Sequence, residues 1–264
     1  MKLIKQIVRI GNSAGVILPR EWLNGKAKVE LVKKPLDIKK DVLEILEPYF
    51  EDIIGVYLVG SYARGEKTKE SDIDILVITN NINKKIKMGK YEVIITTLNA
   101  IVSVLKERPE IIYSKLIDAK VILNKGLLEE LKNFIKLNIN SFKLYFKDSK
   151  KMIGINKELI EMDKLDSSML KSKAVIYSSL LRLRGLYIIR SILNEKKYSN
   201  REFERWLITM LGITKAEYEK LYRIYSLIRD NKKIKEKIDI SLAEKLVGLL
   251  EREIEEYGKK KKKT

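Results

Sequence analysis

Two apolar, β-branched runs with a short polar interval between them constrain this 264-residue chain more than any other feature. Ile53 to Val59 ends in Gly60-Ser61, and Ser71-Asp72-Ile73-Asp74-Ile75-Leu76-Val77-Ile78 follows after Tyr62-Ala63-Arg64-Gly65 and a charged loop. Runs of this kind are buried strands. The spacing predicts one strand over 53–59, a turn and helix opening at Gly60, and a second strand over 71–78. Side chains alternate along a strand, so Asp72 and Asp74, at i and i+2, project from one face. A helix over 37–50, with Ile38, Val42, Ile45, Leu46 and Tyr49 at spacings of three and four, is expected to lay its apolar side on the sheet.

Two carboxylates held close on a rigid strand repel one another and raise a pKa unless a cation lies between them. Hard oxygen ligands of this sort suit Mg²⁺, which takes one or two protein carboxylates and fills its shell with water and substrate phosphate. Gly60 and Ser61 supply the other half, because backbone N–H groups at a strand-to-helix turn reach phosphate oxygens without a side chain in the way. The chain has no histidine and no cysteine, which excludes imidazole metal ligands, disulfides, thiol nucleophiles and every Ser-His or Cys-His mechanism. Catalysis would rest on carboxylates, hydroxyls, Lys, Arg or a bound metal.

The string Gly60-Ser61-Tyr62-Ala63-Arg64-Gly65, followed by Ser71-Asp72-Ile73-Asp74-Ile75-Leu76-Val77, resembles the DNA polymerase β-like nucleotidyltransferase superfamily, particularly its minimal members. The resemblance implies transfer of a nucleoside monophosphate, taken as AMP from ATP, to an acceptor hydroxyl, with pyrophosphate leaving. By position, Gly60, Ser61 and Arg64 would hold the nucleotide, and Asp72 and Asp74 would bind Mg²⁺. Family members add a third carboxylate on a later strand. Here Tyr91-Glu92-Val93-Ile94-Ile95-Thr96 is the next strand-like run, and Glu92 stands where the family most often has Asp. Glu92 completes a two-metal site, accepts the hydroxyl proton, or is a solvent-facing strand residue.

The formal charge of +18 is uneven: residues 1–34 carry a net +6, residues 35–126 balance, and the remainder holds +12. Basic excess at both ends points to a polyanionic partner or a solvated surface. Residues 1–34 read as a small β unit, with a run from Leu3 to Ile10, a turn at Gly11-Asn12-Ser13, a second run at Val16-Ile17-Leu18 ended by Pro19, and a third over Lys28 to Val32. A segment this short buries too little to stand alone, which predicts a homodimer. The stretch Val8-Arg9-Ile10-Gly11-Asn12-Ser13-Ala14-Gly15-Val16-Ile17-Leu18-Pro19-Arg20-Glu21-Trp22-Leu23 resembles the swapped-hairpin AbrB/MazE family, whose dimers bind DNA and often autoregulate toxin–antitoxin operons. That resemblance makes Lys5, Arg9 and Arg20 the candidates for DNA contact; a hairpin that only dimerises is the alternative.

From Gly126 onward the pattern is helical. Periodic segments over 127–146, 151–162 and 174–193 lead to three Ser/Thr-x-x-Glu boxes beginning at Ser199, Thr214 and Ser241, and together they predict a bundle of about six helices. Arg182 and Arg190 on the central segment either face the nucleotide or pair with acidic neighbours, and Trp206 either stacks on a base or anchors the core. Bundles beside minimal nucleotidyltransferases often resemble HEPN domains, but a chain without histidine has no Arg-x4-6-His ribonuclease motif. Lys259 to Lys263 predict a disordered tail.

The expected molecule is an α+β multidomain protein: a swapped-hairpin β unit over 1–34, a nucleotidyltransferase α/β core with a mixed sheet over 35–126, an all-α bundle over 127–258 that binds the acceptor or a partner, and the lysine tail over 259–264. Its expected partners are an NTP, a protein or RNA acceptor, DNA and a second copy of itself. No membrane is expected, since the longest uncharged apolar stretch, Val93 to Leu105, has 13 residues and a span needs ~18. Lys2, Lys5 and Arg9 interrupt the N-terminus before a signal region forms, so the expected location is the cytoplasm. A protein hydroxyl in a toxin–antitoxin-like system is the favoured acceptor, ahead of RNA or a small molecule. The alternative of a different class is a nucleotide-responsive DNA-binding regulator without transferase activity.

Overall fold

Gly11 turns the first hairpin: its φ of +58° lies in the left-handed region, as the first position of a two-residue II′ loop requires. The loop joins β1 (Ile7–Ile10) to β2 (Ser13–Val16), antiparallel with Ile10 opposite Ser13. The structure is a computed structural model that describes residues 3–32 and 36–261, with side chains as far as Tyr257 in the last helix. Two compact units divide the chain, Met1–Asp41 and Val42–Thr264.

In the first unit β2 starts three residues earlier than expected, because the turn is Gly11-Asn12 alone. The third strand, expected over 28–32, is irregular and exposed. A strand needs a ladder, and β1 and β2 pair only with each other. None of residues 3–32 is buried, and Ile7, Ile10, Ile17, Leu23, Val29 and Val32 are exposed. The division expected at residue 35 lies outside the described residues.

α1 (Ile38–Leu46) buries Val42 and Leu46. It stops short of the expected Phe50 because Pro48 enters a 3-10 helix over Glu47–Asp52, where it has no N–H to donate. The apolar runs form β3 (Ile53–Val59) and β4 (Ile73–Thr79), antiparallel neighbours joined by the short helix α2 (Gly60–Arg64). β4 begins at Ile73 rather than Ser71, so Asp72 stands one residue ahead of the strand. β5 (Lys84–Met88) and β6 (Tyr91–Thr97) form a hairpin, and β7 (Lys120–Leu123) joins the other edge. The sheet order is β5-β6-β4-β3-β7; β4 and β6 are parallel and every other pair is antiparallel.

One face of the sheet, with Tyr57, Val59, Leu76 and Ile78, packs against α3 (Leu98–Glu107), α4 (Pro109–Asp118) and α5 (Lys125–Asn133) through Ile101, Leu105, Ile112, Leu116, Leu128 and Leu131. α5 therefore belongs to the sheet's core, although its sequence reads as the start of the bundle.

The helical core is built by α6 (Lys143–Lys164), α7 (Ala174–Leu193), α8 (Asn200–Leu211), α9 (Lys215–Arg229) and α10 (Ile240–Lys261). The bundle core has five helices among the described residues: the segment expected as one helix over 127–146 breaks after Asn133, its first part forming α5 on the sheet and its end running on through 147–150 into α6. Thr214 and Glu217 make the full capping box, while Ser199 caps α8 by accepting from the Glu202 N–H. Ser241 lies inside α10; Asp239 accepts its N–H, and Glu244 pairs with Lys164 at 2.6 Å instead of reaching back. The lysines expected to be disordered continue α10 to Lys261, consistent with good helix formers whose charge suits a helix C-terminus; Lys262 to Thr264 lie outside the described residues. Among the described residues no helix is long and apolar enough to cross a membrane.

Candidate active site

Strand register assembles the site. Val59 lies opposite Asp74, Asp74 beside Glu92, and Glu92 opposite Lys87, which puts one row of four residues across β3, β4, β6 and β5. Paired residues on neighbouring strands share a face, so Asp74, Glu92 and Lys87 point the same way. Gly60, the residue after Val59, has a φ of +69°, and a Cβ there would overlap Asp74 Oδ2 and lie 2.9 Å from Cγ. Only glycine lets this turn approach the carboxylate so closely. Asp72 is exposed just ahead of β4.

The electrostatics differ from one acid to the next. Burial pushes the Asp74 carboxyl above its usual range; Glu92 and Asp72 add to the rise, while Lys115 and Arg64 oppose it. Glu92 is held below the usual range, chiefly by the hydrogen bond from Lys87 Nζ at 3.0 Å, with Lys85 Nζ at 3.8 Å adding to it. Among the described residues no three metal-ligating side chains are grouped as they would be around a cation. Glu92 lies beside Asp74 in register, but its carboxylate is engaged by Lys85 and Lys87. Asp72 and Asp74 alone fit a hard divalent cation: oxygen donors only, a side-chain-free turn at Gly60 against one of them, and a half-buried carboxylate at Asp74 that its acidic neighbours destabilise.

Arg64, expected at the phosphates, has its guanidinium engaged elsewhere. Nε donates to Glu66 Oε2 at 3.1 Å, Nη1 lies 3.8 Å from Asp118 Oδ2, and the group sits 5.4 Å from the Tyr198 ring centre. Trp206 packs with Tyr187 and Phe203 in an aromatic cluster. Arg182 donates to the Ser178 carbonyl of its own helix.

Two cations escaped the sequence analysis. Burial lowers the Lys115 ammonium, against the Asp74 charge that favours its protonated form, and the positive charges of Arg184 and Lys85 lower it further. Arg184 on α7 donates to the Tyr198 hydroxyl at 2.9 Å and to Asn200 Oδ1 at 3.4 Å; no carboxylate lies within ion-pair distance of it among the described residues. Each reads in sequence as one more charge on a helix, and only the fold brings Lys115 toward Asp74 and Arg184 toward Lys115.

The model of the nucleotidyltransferase domain matches residues 38–199. The chain belongs to that family. It is a nucleotidyltransferase, of a kind that uses an NTP and a divalent cation. No curated protein matches the nucleotidyltransferase. Among solved structures, the nucleotidyltransferase-like protein from Exiguobacterium sibiricum 255-15 is similar over 83% of this chain and 75% of that one, at 13% identity and a TM-score of 0.34. Spectinomycin adenyltransferase AAD(9) from Enterococcus faecialis, crystallised with ATP and spectinomycin, is similar over 81% of this chain and 97% of that one, at 15% identity and a TM-score of 0.44.

Proposed function

We propose that this nucleotidyltransferase moves AMP from ATP to a hydroxyl on a protein acceptor, with Asp72 and Asp74 as the Mg²⁺ ligands. The observation that carries the reading is the contact of Gly60 with Asp74, which brings a side-chain-free turn against a half-buried carboxylate. Mg²⁺ bound there supplies charge neutralisation for the triphosphate. The chain does the rest. Gly60 and Ser61 present backbone to the phosphates, and Lys85, Lys87 and Lys115 offer positive charge around the acids. The acceptor oxygen bonds to the α-phosphorus as the bond to the β-bridging oxygen breaks; pyrophosphate leaves, and the acceptor proton passes to Glu92. Lys87, hydrogen-bonded to Glu92 before the reaction, holds that carboxylate ionised to receive it.

The acceptor is read as a protein because the AbrB/MazE-like hairpin and the minimal nucleotidyltransferase motif both resemble toxin–antitoxin components. Adenylylation would then silence the partner. The helical bundle, HEPN-like in its position after the transferase core, would present the acceptor. The first unit is read as a homodimerising DNA-binding module. Its support is a hairpin with no buried residue and a row of exposed isoleucines, which a second copy would cover. Lys5, Arg9 and Arg20 would meet phosphate; Arg9 Nε donates to the Gly11 carbonyl at 2.9 Å in the turn.

A label-transfer assay tests the reading, with each α-labelled NTP, Mg²⁺ and host lysate, comparing wild type with the Asp72→Ala, Asp74→Ala double variant. Label on a defined protein with wild type alone supports it. Label on RNA would replace the acceptor, and nucleotide binding with no transfer would favour the regulator.

A further inference from the structure

Glu66 stands directly after the left-handed Gly65 that ends α2. Its side chain is 13% exposed and is gripped from three directions. Arg64 Nε donates to Oε2 at 3.1 Å, Ser199 Oγ donates to Oε1 at 2.6 Å, and the Asn200 backbone N–H donates to both oxygens at 3.1 and 3.2 Å. Ser199 is the N-cap of α8 and Asn200 its first residue, so the carboxylate satisfies an amide the helix cannot and lies at its positive end. Burial alone would raise the Glu66 carboxyl, but the bonds from Ser199, Arg64 and Asn200 outweigh it and hold the group below the usual range. The backbone N–H of the same residue donates to the Ser61 carbonyl at 2.9 Å. One residue therefore ties the Gly60-Ser61 turn to Arg64 and to the start of a helix 133 positions further along the chain. Tyr198 reinforces the joint, with the Arg64 and Arg184 guanidiniums each 5.4 Å from its ring centre.

We propose that Glu66 is a positioning residue for nucleotidyl transfer, fixing the Gly60-Ser61 turn against α8 so that the helical bundle sets where the triphosphate lies. The proposal rests on the reading of that turn as the phosphate site. A five-residue helix that opens on one left-handed glycine and is followed by another holds its own position weakly, so the turn it carries is free to lose its grip on the triphosphate once Glu66 lets go.

The test uses the full chain with Glu66→Gln, which keeps the shape but loses the charge facing Arg64 and the helix end, and Ser199→Ala, which removes only the bundle-side hydroxyl. Melting temperature, equilibrium binding of a fluorescent ATP analogue with Mg²⁺, and kcat and KM for label transfer are measured together. The expected result for Glu66→Gln is a rise of about tenfold in both the analogue's Kd and the KM for NTP, larger than any fall in kcat, with a cooperative melt retained. Ser199→Ala moves the same way by about threefold, and Ser199→Thr, which keeps the hydroxyl, restores wild-type values. Unchanged Kd and KM in both folded variants would overturn the proposal, as would a fall in melting temperature with wild-type constants per folded molecule. A wild type that binds the analogue but transfers no label defeats the transferase reading and leaves the Kd comparison to decide on Glu66. A wild type that binds no nucleotide overturns both.

Discussion

Gly60 and Asp74 share a space that a single methyl group would fill: a Cβ on Gly60 overlaps Asp74 Oδ2. The register that sets Val59 opposite Asp74 forces this approach, and the left-handed φ of +69° at Gly60 completes it.

Gly60→Ala is therefore expected to abolish transfer by more than about 100-fold, since alanine pays about 1–2 kcal/mol for the left-handed backbone and in addition displaces the carboxylate. Gly65→Ala is the control. It has a similar φ of +76° but nothing within 4 Å of an added Cβ, so it should lose stability with near-normal activity. Thermal melts and label transfer on the two variants separate strain from obstruction.

Asp74→Asn should remove transfer yet stabilise the apo protein at neutral pH. The folded-state pKa of Asp74 is raised, chiefly by burial, so the neutral carboxyl is favoured on folding. Its stabilising contribution is complete below the unfolded pKa and is lost as pH rises through the folded one. The melting-temperature gain of Asn over Asp should shrink as the pH falls below the ordinary aspartate range. Mg²⁺ should raise the melting temperature of wild type and leave that of Asp74→Asn unchanged.

Lys87→Ala removes the first cause of the depressed Glu92 pKa, so the carboxylate pKa rises. With Glu92 as the proton acceptor, the acid limb of the kcat/KM profile should move to higher pH in this variant. Glu92→Gln should lose the limb altogether. A limb that stays in place in Lys87→Ala would assign the proton to another group.

The exposed isoleucines of the first unit predict a dimer by sedimentation equilibrium, and Ile17→Asp, at a side chain 67% exposed in the single chain, should yield monomers that retain transferase activity. DNA affinity should fall steeply with salt, and Arg9→Ala should flatten the slope by about one unit.

The strands that carry Asp74 and Glu92 were legible because apolar runs and strand alternation are local signals, and the turn at Gly60 because a strand ending in glycine opens one; that Glu92 lies beside Asp74 is set by strand register, which no local signal reports. β5 was not: Lys84-Lys85-Ile86-Lys87-Met88 carries three lysines in five residues and reads as a loop until the Gly89 turn folds it against β6. β7 is four residues long and exists by pairing with β3. Ala174–Leu193 matched its helix at both ends, yet Arg184 drew no notice there, because helical periodicity cannot rank one charge above another on a helix that is apolar nearly all round. Glu66 and Ser199 carry no mutual signal, since nothing local reports a contact across 133 positions.

β5 also forms an outer edge of the sheet, where unpaired backbone groups invite a strand from another molecule. The exposed lysines Lys84, Lys85 and Lys87 make that edge repel a like copy of itself. Lys85 and Lys87, which attend Glu92, are thus also gatekeepers against aggregation, so the charge balance of the candidate site and the colloidal stability of the protein draw on the same two side chains.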